Sequence, residues 1–302
     1  MRVAITGATG TIGRALLGEL RERGDEVTAL SRDAGGARER LGVEAAEWRN
    51  PKGEQPPLDA LRGRDAVVHL LGETVAQRWS DEARREIRDS RILPTRNLVA
   101  ALAELPESER PRVLVSQSAT GWYGPRGDER LDEGEPPGDD FLARMVVDWE
   151  SEARAAEAHG LRVVTTRTGV VLSPGGGALE KMLPFFKLGI GGPVAGGRQY
   201  MPWVHLDDVA GAIAFCLHSA AARGPVNLTA PEPATNREFS KRLGKVLRRP
   251  AFAPVPGLAV KALYGEMASI VTTGQRAVPA ALQQLGYEFR RPELEKALRV
   301  AT

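Results

Sequence analysis

The feature that most constrains this chain is a glycine-spaced segment near its start, residues 6–13 (TGATGTIG), which follows the apolar run Val3-Ala4-Ile5 and precedes an amphipathic helical pattern. Gly7 allows a tight turn from strand to helix, Gly10 lets the backbone approach a pyrophosphate, and Gly13 lets the helix pack closely on its strand. The first amides of that helix would face negative charge. The segment therefore predicts a dinucleotide-binding turn, and a glycine-rich turn without a ligand is the alternative. The predicted cofactor-binding residues of the turn are Gly7, Thr9, Gly10, Thr11, Ile12 and Gly13.

Strand-like and helix-like patterns alternate over the first two-thirds of the chain, which is typical of a parallel sheet covered by helices on both faces. Strands are predicted at 2–6, 26–30, 43–48, 66–71, 112–117 and 162–171, and the helices between them include 81–91 and 141–159. Pro94 is expected to kink or end the first of these helices, because an interior proline costs roughly 3 kcal/mol. The predicted fold is α/β, with a doubly wound parallel (Rossmann) sheet.

The composition changes after Leu172. Glycine and proline cluster at 173–177 and 191–197, in loops of the kind that line a ligand cleft at the carboxyl ends of parallel strands. From Pro231 onward short helices interrupted by prolines dominate. We therefore predict a dinucleotide-binding domain over 1–172, with 204–229 returning to it. A smaller, mainly helical domain on the substrate side would comprise 173–203 and 230–302.

Charge and composition exclude several classes of partner. Formal net charge is only +2, from 41 basic and 39 acidic residues, which provides no electrostatic field for nucleic acid or a membrane surface. No run approaches the roughly 18 apolar residues of a spanning helix, and the first strand begins at once, which leaves no room for a signal peptide. We therefore expect a cytoplasmic protein, in which the single cysteine, Cys216, is a buried structural thiol. The oligomeric state stays open, and a homodimer is one alternative.

The end of the second strand discriminates between the two nicotinamide cofactors. An acidic residue about 20 positions after the glycine motif would bind the ribose 2′-hydroxyl of NAD. Ser31 and Arg32 hold that place instead, and the first carboxylate is Asp33. A guanidinium pairs bidentately with a 2′-phosphate, while a serine hydroxyl donates to one of its oxygens. Ser31 and Arg32 therefore predict NADP(H) over NAD(H), with an arginine on a solvated turn as the alternative.

Motifs along the whole chain resemble those of one enzyme family. They include TGATGTIG, HLLGE after the fourth predicted strand, Ser116-Gln117-Ser118 with Tyr123-Gly124, and PWVHLDD at 202–208. Together they resemble the extended short-chain dehydrogenase/reductases. RW at 78–79, SRILPT at 90–95, RTGVVLSPGGGAL from Arg167 and the tail from 249 to 298 narrow the resemblance to an atypical, epimerase-labelled subgroup. That subgroup ends in a small C-terminal domain of unassigned role.

The resemblance implies a cofactor site wider than the glycine turn. The loop after the fourth strand, with Leu70, Leu71 and Gly72, would pass beneath the adenosine and pyrophosphate. The next helix would face the cofactor with Glu86 and Arg91. The residue that would lie near the nicotinamide is Val171, which follows Arg167. An exposed, densely charged helix face is the alternative for Glu86 and Arg91.

The catalytic pair of the parent family is missing from this chain. Hydride-transferring members use a tyrosine with a lysine four residues later, and the lysine and the nicotinamide charge lower the pKa of the phenol. None of the four tyrosines here has such a lysine, and aligning Glu150 with the family's usual glutamate puts Leu142 and Val146 at the two positions. Ser118 and Tyr123 are the catalytic residues predicted from what remains. A polar residue closing a strand end is the alternative for Ser118.

Other polar residues have structural interpretations, which we favour over catalytic ones. His205 is interpreted as part of a structural corner, and Asp208 as the N-cap of an apolar helix. Glu73, Arg78 and Trp79 are candidates for one side of a pocket, and no metal site is predicted. The sequence as a whole predicts an NADP(H)-dependent oxidoreductase or epimerase acting on an unknown small carbonyl or hydroxyl compound. A non-catalytic NADP(H)-binding sensor or regulatory protein is the alternative.

Overall fold

Strands and helices alternate along the chain in a computed structural model that describes all of residues 1–302. The strands are β1 (Arg2–Thr6), β2 (Glu26–Ser31), β3 (Glu44–Glu47), β4 (Ala66–His69), β5 (Val113–Ala119), β6 (Arg130–Leu131), β7 (Arg162–Thr168), β8 (Val170–Leu172), β9 (Tyr200–Met201), β10 (Trp203–His205), β11 (Gly224–Leu228), β12 (Ala234–Thr235) and β13 (Arg276–Ala277). The α-helices are α1 (Thr11–Glu22), α2 (Ala34–Leu41), α3 (Leu58–Leu61), α4 (Asp81–Glu104), α5 (Phe141–Arg154), α6 (Gly177–Lys187), α7 (Leu206–His218), α8 (Asn236–Leu247), α9 (Gly257–Tyr264), α10 (Ser269–Thr272), α11 (Ala280–Gln284) and α12 (Leu294–Ala301). Four short 3-10 turns are Glu107–Glu109, Thr120–Tyr123, Ala155–His159 and Gly265–Ala268.

Seven of the strands form one parallel sheet in the order β11-β7-β5-β4-β1-β2-β3. The order changes direction between β1 and β4. In open α/β sheets the crevice outside the carboxyl ends of the strands at such a switch point is where ligands bind. The sheet therefore puts the loop after β1 and the loop after β4 side by side.

Helices cover both faces of this sheet because successive side chains of a strand point to opposite sides. Along β4, Ala66 and Val68 pack into one core with α1, α2 and α7, whereas Val67 packs into a second core with α3 and α4. Strand β5 alternates in the same way. The predicted doubly wound α/β (Rossmann) fold is confirmed.

A third core lies under the C-terminal part of the chain. It joins α6, α8 and α12 to β8 and β10 through side chains such as Phe186, Phe239 and Leu298. Three short strand pairs, β8 with β10, β9 with β12 and β6 with β13, lie outside the main sheet. The mainly helical C-terminal region is therefore present. No helix in the structure combines the length and the apolar character needed to cross a bilayer.

Two local predictions need correction. The helix that begins at Asp81 does not end near Pro94 but continues to Glu104. Pro94 is buried and the second half of α4 packs Leu98 into the core, so burial compensates for the hydrogen bond that proline cannot make. Residues 162–171 form two strands instead of one, because β7 belongs to the main sheet whereas β8 pairs with β10. The break is at Gly169, where a Cβ would collide with the carbonyl oxygen of Pro202.

Candidate functional site

The glycine turn between β1 and α1 is packed closely against its neighbours. Gly7 has a φ of +72°, and a Cβ there would lie 2.9 Å from the carbonyl oxygen of Leu70. A Cβ at Gly13 would lie 2.6 Å from the Cα of Ala8. The N–H of Gly10 donates to the Gly7 carbonyl at 3.0 Å, and Gly10 itself is exposed. The turn therefore presses on the end of β4 and presents a surface without side chains to the outside.

The N-terminus of α1 lies at this exposed surface. Its N-cap is Gly10, which has no side chain to accept from the first amides, and the first turn contains no acidic residue. The helix dipole and the amides of Thr11, Ile12 and Gly13 are therefore available to an anion from outside. A Cβ at Gly176 would lie 3.6 Å from Thr11 Oγ1, so the glycine-rich loop after β8 borders the same surface.

The end of β2 presents an arginine without a carboxylate partner. Ser31 is half-buried and Arg32 is exposed. The adjacent carboxylate, Asp33, is used within the chain, since it accepts the Gly36 N–H at 2.9 Å as the N-cap of α2 and lies 3.8 Å from Arg40. The Asp33 N–H donates to Ser31 Oγ at 3.2 Å. The Arg32 guanidinium can therefore pair with an external anion.

The loop after β4 is held against α4 by Arg91. Its guanidinium donates to the carbonyls of Ile87 at 2.8 Å and Glu73 at 2.7 Å. A Cβ at Gly72 would lie 3.1 Å from Arg91 Cζ. Burial lowers the pKa of Arg91 to about 10, so the group is still charged at neutral pH. The structure thus places Arg91 directly against the segment 70–72, and its role toward a cofactor stays a prediction.

Three other predicted cofactor residues have separate surroundings. The carbonyl of Thr9 accepts from Arg14 Nη1 at 2.8 Å. Val171 is half-buried against the core and pairs with β10. Glu86 forms an ion pair with Lys52 at 2.8 Å. The structure therefore pairs Glu86 with the loop after β3 rather than with any other predicted site residue.

Ser118 belongs to a buried cluster around an ion pair. Its Oγ donates to Glu150 Oε1 at 2.6 Å, and the same carboxylate receives Arg167 Nε at 2.8 Å and Nη2 at 3.1 Å. The Arg167 and Glu150 side chains are only 3% and 4% exposed. Although burial opposes the charge, the hydrogen bonds and charge of Glu150 hold the pKa of Arg167 above its ordinary value. The Ser118 hydroxyl is therefore hydrogen-bonded inside the cluster, whereas a catalytic role requires it to contact a substrate.

Tyr123 is also buried and hydrogen-bonded inside the protein. Its hydroxyl oxygen lies 2.8 Å from Asn227 Oδ1 and 3.0 Å from the Asp132 carbonyl oxygen, one of which takes its single proton, and it accepts from Arg167 Nη1 at 3.3 Å. Burial raises the pKa of Tyr123 to about 12. The expectation that Ser118 and Tyr123 face a substrate differs from the structure, because interior partners take both hydroxyls. Their catalytic role stays a prediction.

Helix α5 presents apolar side chains at the two positions that the family resemblance assigns to a tyrosine and a lysine. A Cβ at Gly121 would lie 3.4 Å from Leu142 Cβ and 3.8 Å from Val146 Cγ2, so both residues lie beside the end of β5. Val146 is fully buried. We define the apolar wall as the half-buried side chains around this point: Val75, Trp79, Ala119, Trp122, Phe141 and Leu142. The wall offers apolar contact and contains no group that transfers protons.

The start of α7 binds the C-terminal segment instead of a substrate. His205 caps the helix by accepting the Asp207 N–H at 3.1 Å, and it is 1% exposed. Burial lowers the pKa of His205. Asp208 is not the N-cap that the sequence predicts, because its carboxylate accepts the N–H groups of Arg290 at 2.7 Å and Arg291 at 2.9 Å. Asp208 is thus used to attach the C-terminal segment, and His205 is used to cap α7.

Sequence reasoning missed a polar line beneath the glycine turn. Thr6 Oγ1 lies 2.8 Å from His69 Nδ1, and His69 Nε2 lies 3.0 Å from Thr95 Oγ1. All three residues are 0% exposed. The signal was available, since His69 lies in the predicted strand 66–71 of a sheet covered by helices on both faces, and a buried imidazole needs hydrogen-bond partners.

Comparison with known proteins identifies the family. The model of the NAD dependent epimerase/dehydratase family matches residues 3–228, and that of a domain of unknown function, DUF1731, matches residues 255–301. The epimerase family protein Mb2239 of Mycobacterium bovis is 42% identical over 99% of this chain and 97% of its own length. The epimerase family protein SDR39U1 homolog, chloroplastic, of Arabidopsis thaliana is 39% identical over 99% of this chain and 86% of its own length.

A solved structure shows the same architecture. The crystal structure of human epimerase family protein SDR39U1 (isoform 2) with NADPH matches with a TM-score of 0.89 and 36% identity, over 100% of this chain and 99% of that chain. The family resemblance inferred from the motifs is confirmed. The family model spans most of the chain, and the relatives match it from end to end, so this chain belongs to the NAD dependent epimerase/dehydratase family.

Proposed function

We propose that this protein binds NADPH at the carboxyl edge of the sheet, across the switch point between β1 and β4. The observation that carries the proposal is the exposed start of α1, where Gly10 leaves the first amides of the helix without a capping side chain. Such a helix start is a phosphate-binding site by virtue of its amides and its dipole. The relative whose structure was solved with NADPH supports the same cofactor.

The residues present fit each part of that cofactor. The amides at Thr11, Ile12 and Gly13 would hold the diphosphate, together with the glycine backbone before them. Arg32 would pair with the 2′-phosphate and Ser31 would donate to it. The segment 70–72 and Arg91 would border the adenosine, Val171 would lie toward the nicotinamide, and Glu86 would reach the cofactor only by giving up Lys52.

Calorimetric titration with NADPH and NADH tests this proposal. A bidentate contact to the 2′-phosphate should favour NADPH by about tenfold to a hundredfold, since charge-assisted hydrogen bonds contribute roughly 1.5–3 kcal/mol. Equal affinity for the two nucleotides, or tighter NADH, would remove Arg32 from its proposed role. No heat with either nucleotide would refute the site as a whole.

We propose, as the activity, an oxidoreductase or epimerase reaction on a small carbonyl or hydroxyl compound. The cofactor, when bound, would supply a hydride to a carbonyl carbon as NADPH, or take one from an alcohol carbon as NADP+. The apolar wall beside β5 would exclude water from the substrate, and Ser118 would orient the substrate oxygen after turning from Glu150. Tyr123 would support this cluster rather than act as a base, because its phenol is protonated far above neutral pH.

Absorbance at 340 nm with a panel of carbonyl compounds tests the activity. Ser118→Ala should lower any turnover by at least about tenfold if the hydroxyl supplies a transition-state hydrogen bond. Ser151→Ala, which removes an exposed hydroxyl from α5, is the matched control and should leave turnover unchanged. An unchanged rate in Ser118→Ala would exclude that serine from the chemistry.

A second function, NADPH sensing without turnover, is favoured by a specific observation. Both candidate hydroxyls are buried on interior partners. In addition, Arg290 forms an ion pair with Glu19 of α1, which connects the C-terminal segment to the helix at the proposed diphosphate site. Sensing predicts that NADPH slows proteolysis after 280 while no carbonyl compound is reduced. Unchanged proteolysis would count against it.

We propose that the chain divides into two domains, one of 1–172 with 204–229 and the other of 173–203 with 230–302. The separate C-terminal core supports this division. A cytoplasmic location is proposed, although a relative is named chloroplastic, so cell fractionation is the test. We also propose a homodimer, and light scattering tests it by measuring the molar mass in solution.

A further inference from the structure

A buried line of polar side chains connects the ends of β1 and β4 with α4, beneath the proposed NADPH site. Thr6 Oγ1 lies 2.8 Å from His69 Nδ1, and His69 Nε2 lies 3.0 Å from Thr95 Oγ1. None of the three residues has any exposed surface. Water does not reach these groups, so each relies on the others for its hydrogen bonds.

The outer partners of Thr95 determine where the imidazole proton lies. Thr95 Oγ1 donates to the Arg91 carbonyl at 2.6 Å and accepts the Trp149 Nε1–H at 3.0 Å. A hydroxyl has a single proton, so Thr95 has none left for the imidazole. His69 Nε2 must therefore be the donor to Thr95. In a neutral imidazole Nδ1 is then the acceptor, and Thr6 Oγ1 donates to it.

The two ends of this line lie on the two sides of the proposed adenosine site. At one end, the Leu70 N–H donates to Thr6 Oγ1 at 3.1 Å, and the Leu70 carbonyl is the atom against which Gly7 packs. At the other end lies the Arg91 carbonyl. The Arg91 guanidinium returns to the loop after β4 by donating to the Glu73 carbonyl at 2.7 Å. The hydrogen bonds therefore form a closed connection around the segment 70–72.

We infer that His69, as its Nε2–H tautomer, is a positioning residue for nucleotide binding, which acts through Thr6 on Leu70 and through Thr95 on Arg91. The inference rests on the proposed NADPH site and adds a buried determinant of its shape. The imidazole acts without charge, because burial lowers the pKa of His69 to about 3. A buried group of this kind affects binding by holding contact residues in one geometry.

Valine substitutions test the inference because they remove a hydroxyl and keep the shape of threonine. Thr6→Val and Thr95→Val should each weaken NADPH binding by roughly threefold to tenfold, the equivalent of one lost hydrogen bond. Thr165→Val is the matched control, since Thr165 is 1% exposed and its hydroxyl has no partner. Its affinity should equal that of the wild type. Equal affinities in all three variants would overturn the inference.

Nitrogen-15 spectra of the wild-type imidazoles at pH 7 provide a second readout that needs no variant. They should show the His69 proton on Nε2, and a proton on Nδ1 would overturn the inference. Amide exchange separates this inference from the proposed function. If the wild type gave no heat with NADPH, the proposed function would fail. Faster exchange at Leu70 in Thr6→Val than in Thr165→Val would still support the positioning of the segment 70–72, and unchanged exchange would overturn it.

Discussion

The two halves of the carboxyl edge treat their polar groups differently. On the β1–β2–β4 side, the start of α1 has no capping side chain, and Arg32 is exposed without a carboxylate partner. On the β5–β7 side, the hydroxyls of Ser118 and Tyr123 are buried, as are Glu150 and Arg167. The first half offers donors to a ligand, whereas the second uses its donors to hold the fold together. The difference teaches that one edge of a sheet can leave donors open at one end while it packs the hydroxyl groups of the other end into the interior.

The apolar wall makes the contrast sharper. Leu142 and Val146 occupy the positions that the family resemblance assigns to the catalytic tyrosine and lysine. Neither of these apolar side chains can transfer a proton. The buried Arg167–Glu150 ion pair beside them is hydrogen-bonded to the hydroxyls of Ser118 and Tyr123 and to one backbone carbonyl rather than to solvent. Changes on the first side should therefore alter nucleotide affinity, and changes on the second should alter stability.

The largest effect on nucleotide affinity is expected at Gly13. In Gly13→Ala the new Cβ would meet the backbone of Gly7 and Ala8, so the helix start must move away from its strand. NADPH affinity should fall by at least about a hundredfold, or ~2.7 kcal/mol. Gly18→Ala, in the same helix with nothing within 4 Å, is the control and should keep the affinity. Calorimetry on folded protein, checked by circular dichroism, decides the matter. Wild-type affinity in Gly13→Ala would contradict the account.

A second effect, on the free energy of unfolding, is expected on the β5–β7 side. Arg167→Met leaves Glu150 buried without its partner, which should lower the free energy of unfolding by roughly 3–5 kcal/mol. Arg96→Met breaks the exposed pair with Glu152 and should cost no more than ~1 kcal/mol. Denaturant unfolding measures both. If Arg167→Met were as stable as the wild type, the buried pair would not hold the fold together and the contrast would fail.

A third effect concerns the pH dependence of the free energy of unfolding. His69 has its folded-state pKa lowered to about 3, from an ordinary value of 6.5, so the unfolded chain binds more protons between these values. The stabilising contribution is complete above about pH 6.5 and is lost as the pH falls toward 3, with a slope of up to ~1.4 kcal/mol per pH unit. His69→Asn should reduce this slope, whereas His159→Asn should keep it. Unfolding curves at pH 7, 6, 5 and 4 compare them. The same slope in His69→Asn would rule out a buried neutral imidazole.

The part of the fold and site that sequence could predict is the part set by local backbone demands. Gly7 and Gly13 indicate the turn because a Cβ has no room at either position. The place of Arg32 follows from its distance along the sequence from the same motif. The Ser118–Glu150 and Arg167–Glu150 contacts span 32 and 17 residues, and the Thr6–His69 contact spans 63. No local pattern indicates which buried polar groups will meet across such distances. Sequence therefore predicted the backbone of the glycine turn better than the buried contacts of the β5–β7 side.

The most direct test of the central claim is the nucleotide preference of Arg32→Ala, measured beside Arg23→Ala, which removes another exposed arginine. The account predicts that Arg32→Ala lowers the preference for NADPH over NADH by about tenfold to a hundredfold through weaker NADPH binding alone. Arg23→Ala should keep the wild-type preference. An undiminished preference in Arg32→Ala would contradict the claim that this open edge reads the 2′-phosphate.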